Sequence, residues 1–191
     1  MRSEARSSPR AARTGAGVAP ADPPAETEPS QRLSLTVVAE DGDWSRFPAI
    51  DAVIGRAGGA LSSTPRVAIA QGSEASIVLG DDALLRRLNG TYRGKDAPTN
   101  VLSFPFQRPP GDRGDVAYLG DVILAAETIL REAGERAIEP AHHLQHLVVH
   151  GLLHLLGYDH ETAAAAQDME RLETDILATI GVADPYGGAV T

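Results

Sequence analysis

The feature that most constrains this chain is the run His150-Gly151-Leu152-Leu153-His154-Leu155-Leu156-Gly157-Tyr158-Asp159-His160. Two histidines four positions apart share one face of a helix, because a turn takes 3.6 residues. Gly157 can adopt the left-handed conformation that closes a helix. The reversal then brings His160 back toward the pair. Three imidazoles can meet at one point with no fourth protein ligand in the run, which is the donor set of a catalytic zinc site.

All six histidines lie between positions 142 and 160, so the ligands have to be chosen among them. His142/His146 and His146/His150 also satisfy helical spacing. Only His150/His154 is followed by a helix stop and a third histidine within reach. His146 sits a further turn back, about 6 Å along the axis. The expected ligands are therefore His150, His154 and His160, with His146 as a weaker substitute. The chain has no cysteine, so a zinc site must use imidazole and carboxylate. One Zn2+ ion is expected, and nickel or copper would suit the same donors. Asp159 either orients a ligand or shapes the turn. The spacing also matches metzincin proteases, but those require Glu directly after the first histidine as general base. Here that residue is Gly151, which cannot move a proton, so protease chemistry is disfavoured.

With 191 residues and 42% hydrophobic residues, the chain can bury one core and carry a tail. Residues 1–31 are rich in Pro, Ala, Ser and Glu without apolar periodicity and read as a disordered extension. The working domain is expected over 32–187, followed by a short tail at 188–191. No apolar run approaches the ~20 residues of a membrane span, and no secretory leader is expected. The lack of cysteine fits a reducing compartment. A formal charge of −9 argues against coating nucleic acid by bulk electrostatics. Residues 81–110 are locally basic, with Arg86, Arg87, Arg93, Lys95 and Arg108 against Asp81, Asp82 and Asp96.

Alternation predicts a strand over Leu33–Val38, with shorter strand candidates at Val67–Ile69 and Ser76–Leu79. A helix capped by Asp43 is expected from Trp44 to Ile54, ended by Gly58-Gly59. Asp81 or Asp82 caps a helix through Leu88, and a Gly/Pro/Asp-rich loop follows from Asn89 to Asn100. Val101–Phe106 is extended, with Pro105 at a sheet edge or bulge. A polar loop spans Gln107–Asp115, and Tyr118–Leu124 reads as a strand. Helices follow over Ala125–Glu135, from Glu139 or Pro140 to near Gly157, and over Thr162–Ile180. This is an α+β domain: a small mixed four-stranded sheet packed by about five helices, with the metal site at the end of the long histidine helix.

Two further stretches stand out beside the histidine run. One is Tyr92-Arg93-Gly94-Lys95-Asp96-Ala97-Pro98-Thr99-Asn100-Val101-Leu102-Ser103-Phe104-Pro105, and the other is Leu119-Gly120-Asp121-Val122. Together, and in this order, the three resemble the YbeY family of bacterial rRNA-maturation endoribonucleases over roughly residues 33–186. The resemblance implies a cytoplasmic, ribosome-associated metalloprotein. It would act as a single-strand-specific endoribonuclease in maturation of 16S rRNA 3′ ends and in ribosome quality control. Its partners would be ribosomal RNA, the ribosome or its small subunit, and a ribosomal protein or GTPase, with no membrane. The family's metal histidines map onto His150, His154 and His160, and its functionally important arginine onto Arg93.

The chemistry of the residues agrees. A bound zinc ion can polarise a phosphoryl oxygen or lower the pKa of water toward ~7. Arg93 can grip a phosphate with its guanidinium fork, and Lys95 adds a point charge. Arg93 and His150 are thus the catalytic candidates, and Arg93 and Lys95 the substrate-binding ones. A purely structural alternative pairs Arg93 with Asp96 or Asp121. Phe104, Phe106 and Tyr118 can stack bases or fill the core. Asp121 supports the site or caps the next helix. The alternative function is a ribosome-associated assembly factor with a mainly structural zinc; a metallohydrolase for peptides or small molecules is held back by Gly151.

Overall fold

The computed structural model describes residues 32–107 and 117–187. The expected disordered extension at 1–31, most of the polar loop before Tyr118 with Arg108, and the tail at 188–191 lie outside the described residues.

Four strands build the sheet: β1 (Leu33–Ala39), β2 (Ser73–Gly80), β3 (Val101–Pro105) and β4 (Tyr118–Ala125). Their order is β1-β2-β4-β3. β1/β2 and β2/β4 are parallel, and β3/β4 is antiparallel. The sheet is therefore mixed, as the long first connection implies. β3 is an edge strand, where Pro105 has no N–H to contribute to a ladder. Gly120 makes a bulge possible beside it. Its φ is +130°, and a Cβ there would lie 2.1 Å from the Phe104 carbonyl oxygen.

Five helices follow the sheet in sequence or interleave with it: α1 (Ile50–Ser63), α2 (Asp82–Arg93), α3 (Ala126–Glu135), α4 (Pro140–Leu155) and α5 (Ala163–Ala178). The histidine helix α4 starts with proline at its first turn, where the missing N–H costs nothing. Its residues from His143 to Val149 are buried without a break. It is the central helix, packed by α1, α3, α5 and the strands β3 and β4. Ile54, Leu61, Leu144, Val148, Leu152, Ile176 and Leu177 meet Ile77, Val122 and Leu124 of the sheet in one core.

Three local expectations are corrected. Trp44–Arg46 forms only a 3-10 turn, capped by the Asp43 carboxylate, which accepts from Ser45 N at 3.0 Å. Pro48 disfavours helical geometry in the residue before it, so α1 begins at Ile50 and runs through Gly58-Gly59. Gly58 is kept within the helix by packing: a Cβ would stand 2.5 Å from Leu35 Cδ1. Val67–Ile69 joins no ladder, although Val67 and Ile69 are buried. Finally, α2 continues beyond Leu88 to Arg93, and Gly94 at φ +67° ends it. Asp81, rather than Asp82, caps α2 by accepting from Leu84 N at 2.7 Å.

An equally close seat of helix on sheet is at Gly151. A Cβ here would lie 2.5 Å from Val122 Cγ1, and Ser103 Oγ donates to the Gly151 carbonyl at 3.1 Å. Val122 is fully buried and has no room to retreat. Gly151→Ala is expected to destabilise the protein by about 1–3 kcal/mol through overpacking, measured as a lower midpoint in urea unfolding. An unchanged midpoint would contradict this packing.

Candidate metal centre

The histidine site is built by the end of α4. Gly157, at φ +89°, closes the helix. Tyr158 N bonds back to Leu153 O at 3.1 Å and Gly157 N to His154 O at 3.0 Å. This paired six-to-one and five-to-two pattern is the Schellman closure. Tyr158 packs on the core, and the chain turns back. The Asp159 carboxylate accepts from Glu161 N at 3.0 Å, so its role is to shape this turn. The result places the His160 ring 5.1 Å from that of His154 and 6.0 Å from that of His150. One ligand atom from each of His150, His154 and His160 can be chosen so that all lie within 4.8 Å of one another.

Proton bookkeeping shows that these imidazoles suit a cation. His150 Nδ1 lies 2.8 Å from Glu173 Oε1, and His154 Nδ1 lies 2.9 Å from the Tyr158 carbonyl oxygen. Both partners only accept, so both Nδ1 atoms carry the proton. In the neutral rings each Nε2 is then a bare lone pair, yet the two Nε2 atoms are 3.1 Å apart. Facing lone pairs repel unless something positive lies between them. Zn–N bonds of ~2.0–2.1 Å at a tetrahedral angle imply a separation of about 3.3 Å. Burial, then the neighbouring His150 and His160, hold His154 below its ordinary value. The neutral, ligating form is therefore favoured.

Glu173 is the residue that sequence reasoning missed. It lies on the inner face of α5 with 0% exposure, among Met169, Leu172, Ile176 and Leu177. An acid in that apolar stripe was the available signal. Its carboxylate receives His150 on one oxygen and His146 Nε2, at 3.1 Å, on the other. The Tyr186 hydroxyl donates to it as well. Burial alone would raise this carboxyl, but the bonds from His146, His150 and Tyr186 outweigh burial and lower it to about 2. Burial and the Glu173 contact push Tyr186 far above its ordinary value. His146, the weaker ligand candidate, therefore supports Glu173 and does not join the His150, His154, His160 group. His146, His150 and Glu173 also form a compact donor group. It competes for His150 and would break the bond that orients that ring.

A cleft of about 480 Å³ opens over the histidines, lined by Arg93, Lys95, Thr99, Asn100, Val101, Ser103, His150, His154 and His160. Arg93 and Lys95 are both exposed. The pairing proposed for Arg93 is not made. Arg86 takes Asp96 through two contacts at 2.5 and 2.8 Å, and the Asp121 carboxylate accepts from Tyr118 OH at 2.7 Å. Among the described residues Arg93 and Lys95 form no ion pair. Their loop is held by other residues: Arg86 on Asp96, and the buried Asn89, whose Nδ2 donates to Ala97 O at 2.8 Å. Asp121 neither caps α3, whose cap is Ala125, nor lines the cleft. Phe104 packs with Leu85 and Leu102 and meets Tyr92 edge-on at 4.9 Å. Phe106 meets Tyr118 at 5.6 Å, away from the cleft lining.

A family model described as Endoribonuclease YbeY matches residues 56–181. The chain belongs to the YbeY family. It is 51% identical over 163 residues to the Endoribonuclease YbeY of Bradyrhizobium sp. strain BTAi1, covering 83% of this chain and 95% of that one. The protein of the same name from Parvibaculum lavamentivorans is 47% identical over 81% of this chain and 85% of its own length. That of Azorhizobium caulinodans is 49% identical over 81% and 96%. The YbeY match spans every element from within α1 to α5, and hence the whole histidine cleft. No described helix is long and apolar enough to cross a membrane.

Glu173→Gln is expected to weaken zinc binding by about 10–100-fold, the usual effect of losing the partner that orients a ligand; competition with a chromophoric chelator measures it. The lowered Glu173 carboxyl also sets an acid dependence. Its ordinary value is 4.5 and its folded value about 2. Its contribution, on the order of 3 kcal/mol, is therefore complete above about pH 5 and lost as pH falls toward 2. Unfolding of metal-free protein and Glu173→Gln across that range should converge at the acid end. Parallel curves would reject the assignment.

Proposed function

We propose that this protein is a zinc-dependent endoribonuclease that cuts single-stranded RNA in the cleft above His150, His154 and His160. The observation that carries this reading is the meeting, in one cleft, of three converging imidazoles with two cations that form no ion pair among the described residues. His150, His154 and His160 would hold the ion. The ion supplies Lewis acidity, withdrawing charge from a phosphoryl oxygen. The chain's own residues do the positioning. Glu173 and the Tyr158 carbonyl accept hydrogen bonds from the Nδ1–H groups of His150 and His154 and so aim both Nε2 lone pairs into the cleft. Arg93 binds a phosphate through its planar fork, and Lys95 adds charge beside it. Neither is paired with an acid among the described residues, so no such contact has to break when phosphate arrives.

The family and the cleft together suggest the substrate. A cleft of about 480 Å³ is on the scale of a small-ligand pocket. That volume suits a nucleotide or two of an extended strand, not the width of a duplex. We place the activity in the cytoplasm, at the 3′ end of 16S rRNA on the small ribosomal subunit, in rRNA maturation and ribosome quality control. A net charge of −9 opposes unaided docking on RNA. A ribosomal protein or GTPase is therefore proposed to bring the cleft to its target.

Elemental analysis paired with cleavage of a single-stranded oligoribonucleotide tests the reading. One zinc per chain is expected, with cleavage lost on chelation and restored by zinc. His150→Ala should lose at least about 100-fold in rate, and Arg93→Ala about 10–100-fold, the scale of a charged hydrogen bond. Robust cleavage by both variants would overturn the assignment. Ribosome association without any cleavage by the wild type would favour an assembly factor.

A further inference from the structure

A polar chain runs from the interior of the molecule to the wall of the cleft. His143 on α4 has 1% of its side chain exposed, and its Nε2 lies 2.7 Å from Glu132 Oε2 on α3. The same oxygen accepts from Asn100 Nδ2 at 2.9 Å. Asn100 lines the cleft together with Arg93 and the histidines. The chemistry proposed above uses none of these three residues.

The donors and acceptors fix the direction of the chain. Burial raises the Glu132 carboxyl, but the bonds from Asn100 and His143 outweigh burial and hold it below its ordinary value. It is an ionised acceptor at neutral pH, so both neighbours must donate. Burial keeps His143 below its ordinary value. Its single proton therefore sits on Nε2, while Nδ1 is sealed without a partner. The Asn100 amide must turn Nδ2 to Glu132, which fixes where Oδ1 points. The Asn100 backbone carbonyl is already taken by Ala125 N at 3.0 Å. Among the described residues Oδ1 accepts no hydrogen bond, and it is not one of the sealed, unpartnered atoms. The chain thus ends, on a residue of the cleft wall, in an acceptor of set direction that has no partner among the described residues.

Holding the loop in place does not require this expense. Arg86–Asp96 and Asn89–Ala97 already fasten it, and burying an imidazole against a partly buried carboxylate costs free energy. An amide oxygen cannot bind a phosphate, which offers no proton. It can accept from a ribose 2′-hydroxyl or a base N–H, the groups by which RNA is told from DNA and one base from another.

We propose that Asn100 reads the substrate, accepting a hydrogen bond from a nucleotide's 2′-hydroxyl or base N–H, with Glu132 and His143 as positioning residues that lock its amide. This rests on the endoribonuclease reading. Arg93 and Lys95 hold the phosphate regardless of sequence, and Asn100 adds selectivity.

The test is fluorescence anisotropy of a labelled single-stranded oligoribonucleotide with the zinc-loaded full-length protein, read in the first seconds after mixing and so before cutting. Parallel oligonucleotides carry one 2′-deoxy nucleotide, or one base lacking its exocyclic amine, at each position in turn. Wild type should lose about five- to tenfold in affinity at one position, the size of a single hydrogen bond. The class of substitution responsible identifies the donor. Asn100→Ala should bind the unmodified strand weaker by the same factor and be indifferent to that substitution. Glu132→Gln should shrink the discrimination with zinc affinity unchanged, which a general loss of structure would not produce. The proposal fails if Asn100→Ala binds like wild type, or binds more weakly yet still discriminates. If the zinc-loaded wild type neither binds nor cuts the unmodified strand at any protein concentration, the endoribonuclease reading fails first and takes this one with it.

Discussion

A helix carrying five histidines occupies the centre of the core, and the rest of the molecule is arranged to satisfy it. Buried imidazoles need partners, and α4 takes them from the helices on either side. Glu132 of α3 receives His143, while Glu173 of α5 receives His146 and His150. Each carboxylate is drawn below its ordinary value by those contacts against the opposing effect of burial. The two acids act as polar clamps on an otherwise apolar packing. They fix the rotation of α4 about its axis, and that rotation decides which imidazole edges reach the cleft. The metal site and the packing of three helices therefore share the same few hydrogen bonds.

Much of this was legible in the sequence, for identifiable reasons. Period-two alternation gave β1, the apolar runs Ser76–Leu79 and Tyr118–Leu124 gave half of β2 and nearly all of β4, and the helix stop at Gly157 gave the return of His160. Those signals are local, and the structure follows them. The expectations that the structure overturns concern tertiary context. Gly58-Gly59 looks like a helix end, but in the fold it admits Leu35. Val67–Ile69 is apolar enough for a strand but has no neighbour to pair with. Asn89 looked like the first residue of a loop. It is instead a buried helical residue that ties down the segment beyond Gly94. The same limit applies at the site. The spacing of His150, His154 and His160 is written in one short run, whereas Glu173 and Tyr186 arrive from α5 and the segment after it. Nothing local marks their approach except an acid placed among apolar neighbours.

The electrostatics divide the cleft into two halves. On the histidine side, the carboxylates are turned inward and held by hydrogen bonds from the imidazoles of α4. On the side of Arg93 and Lys95, the two cations have no counterion among the described residues, although three acids lie within the same locally basic segment. Arg86 takes Asp96, and Asp82 faces Thr128 and Arg131. The acids that could have quenched Arg93 are used to fasten α2 and its loop. An acidic protein can in this way keep a small positive site.

Gly151 has a bearing on descent. The residue at that position decides whether a site of this spacing has a glutamate to serve as base, and here the position is sealed against Val122 and Ser103. A glutamate could not be added by one substitution without lifting α4 from the sheet and carrying His150 and His154 away with it. The route from this centre to a protease would pass through a misassembled core. The boundary between the two chemistries is thus kept by the shape of a helix–sheet contact, which selection on either activity alone would find hard to cross.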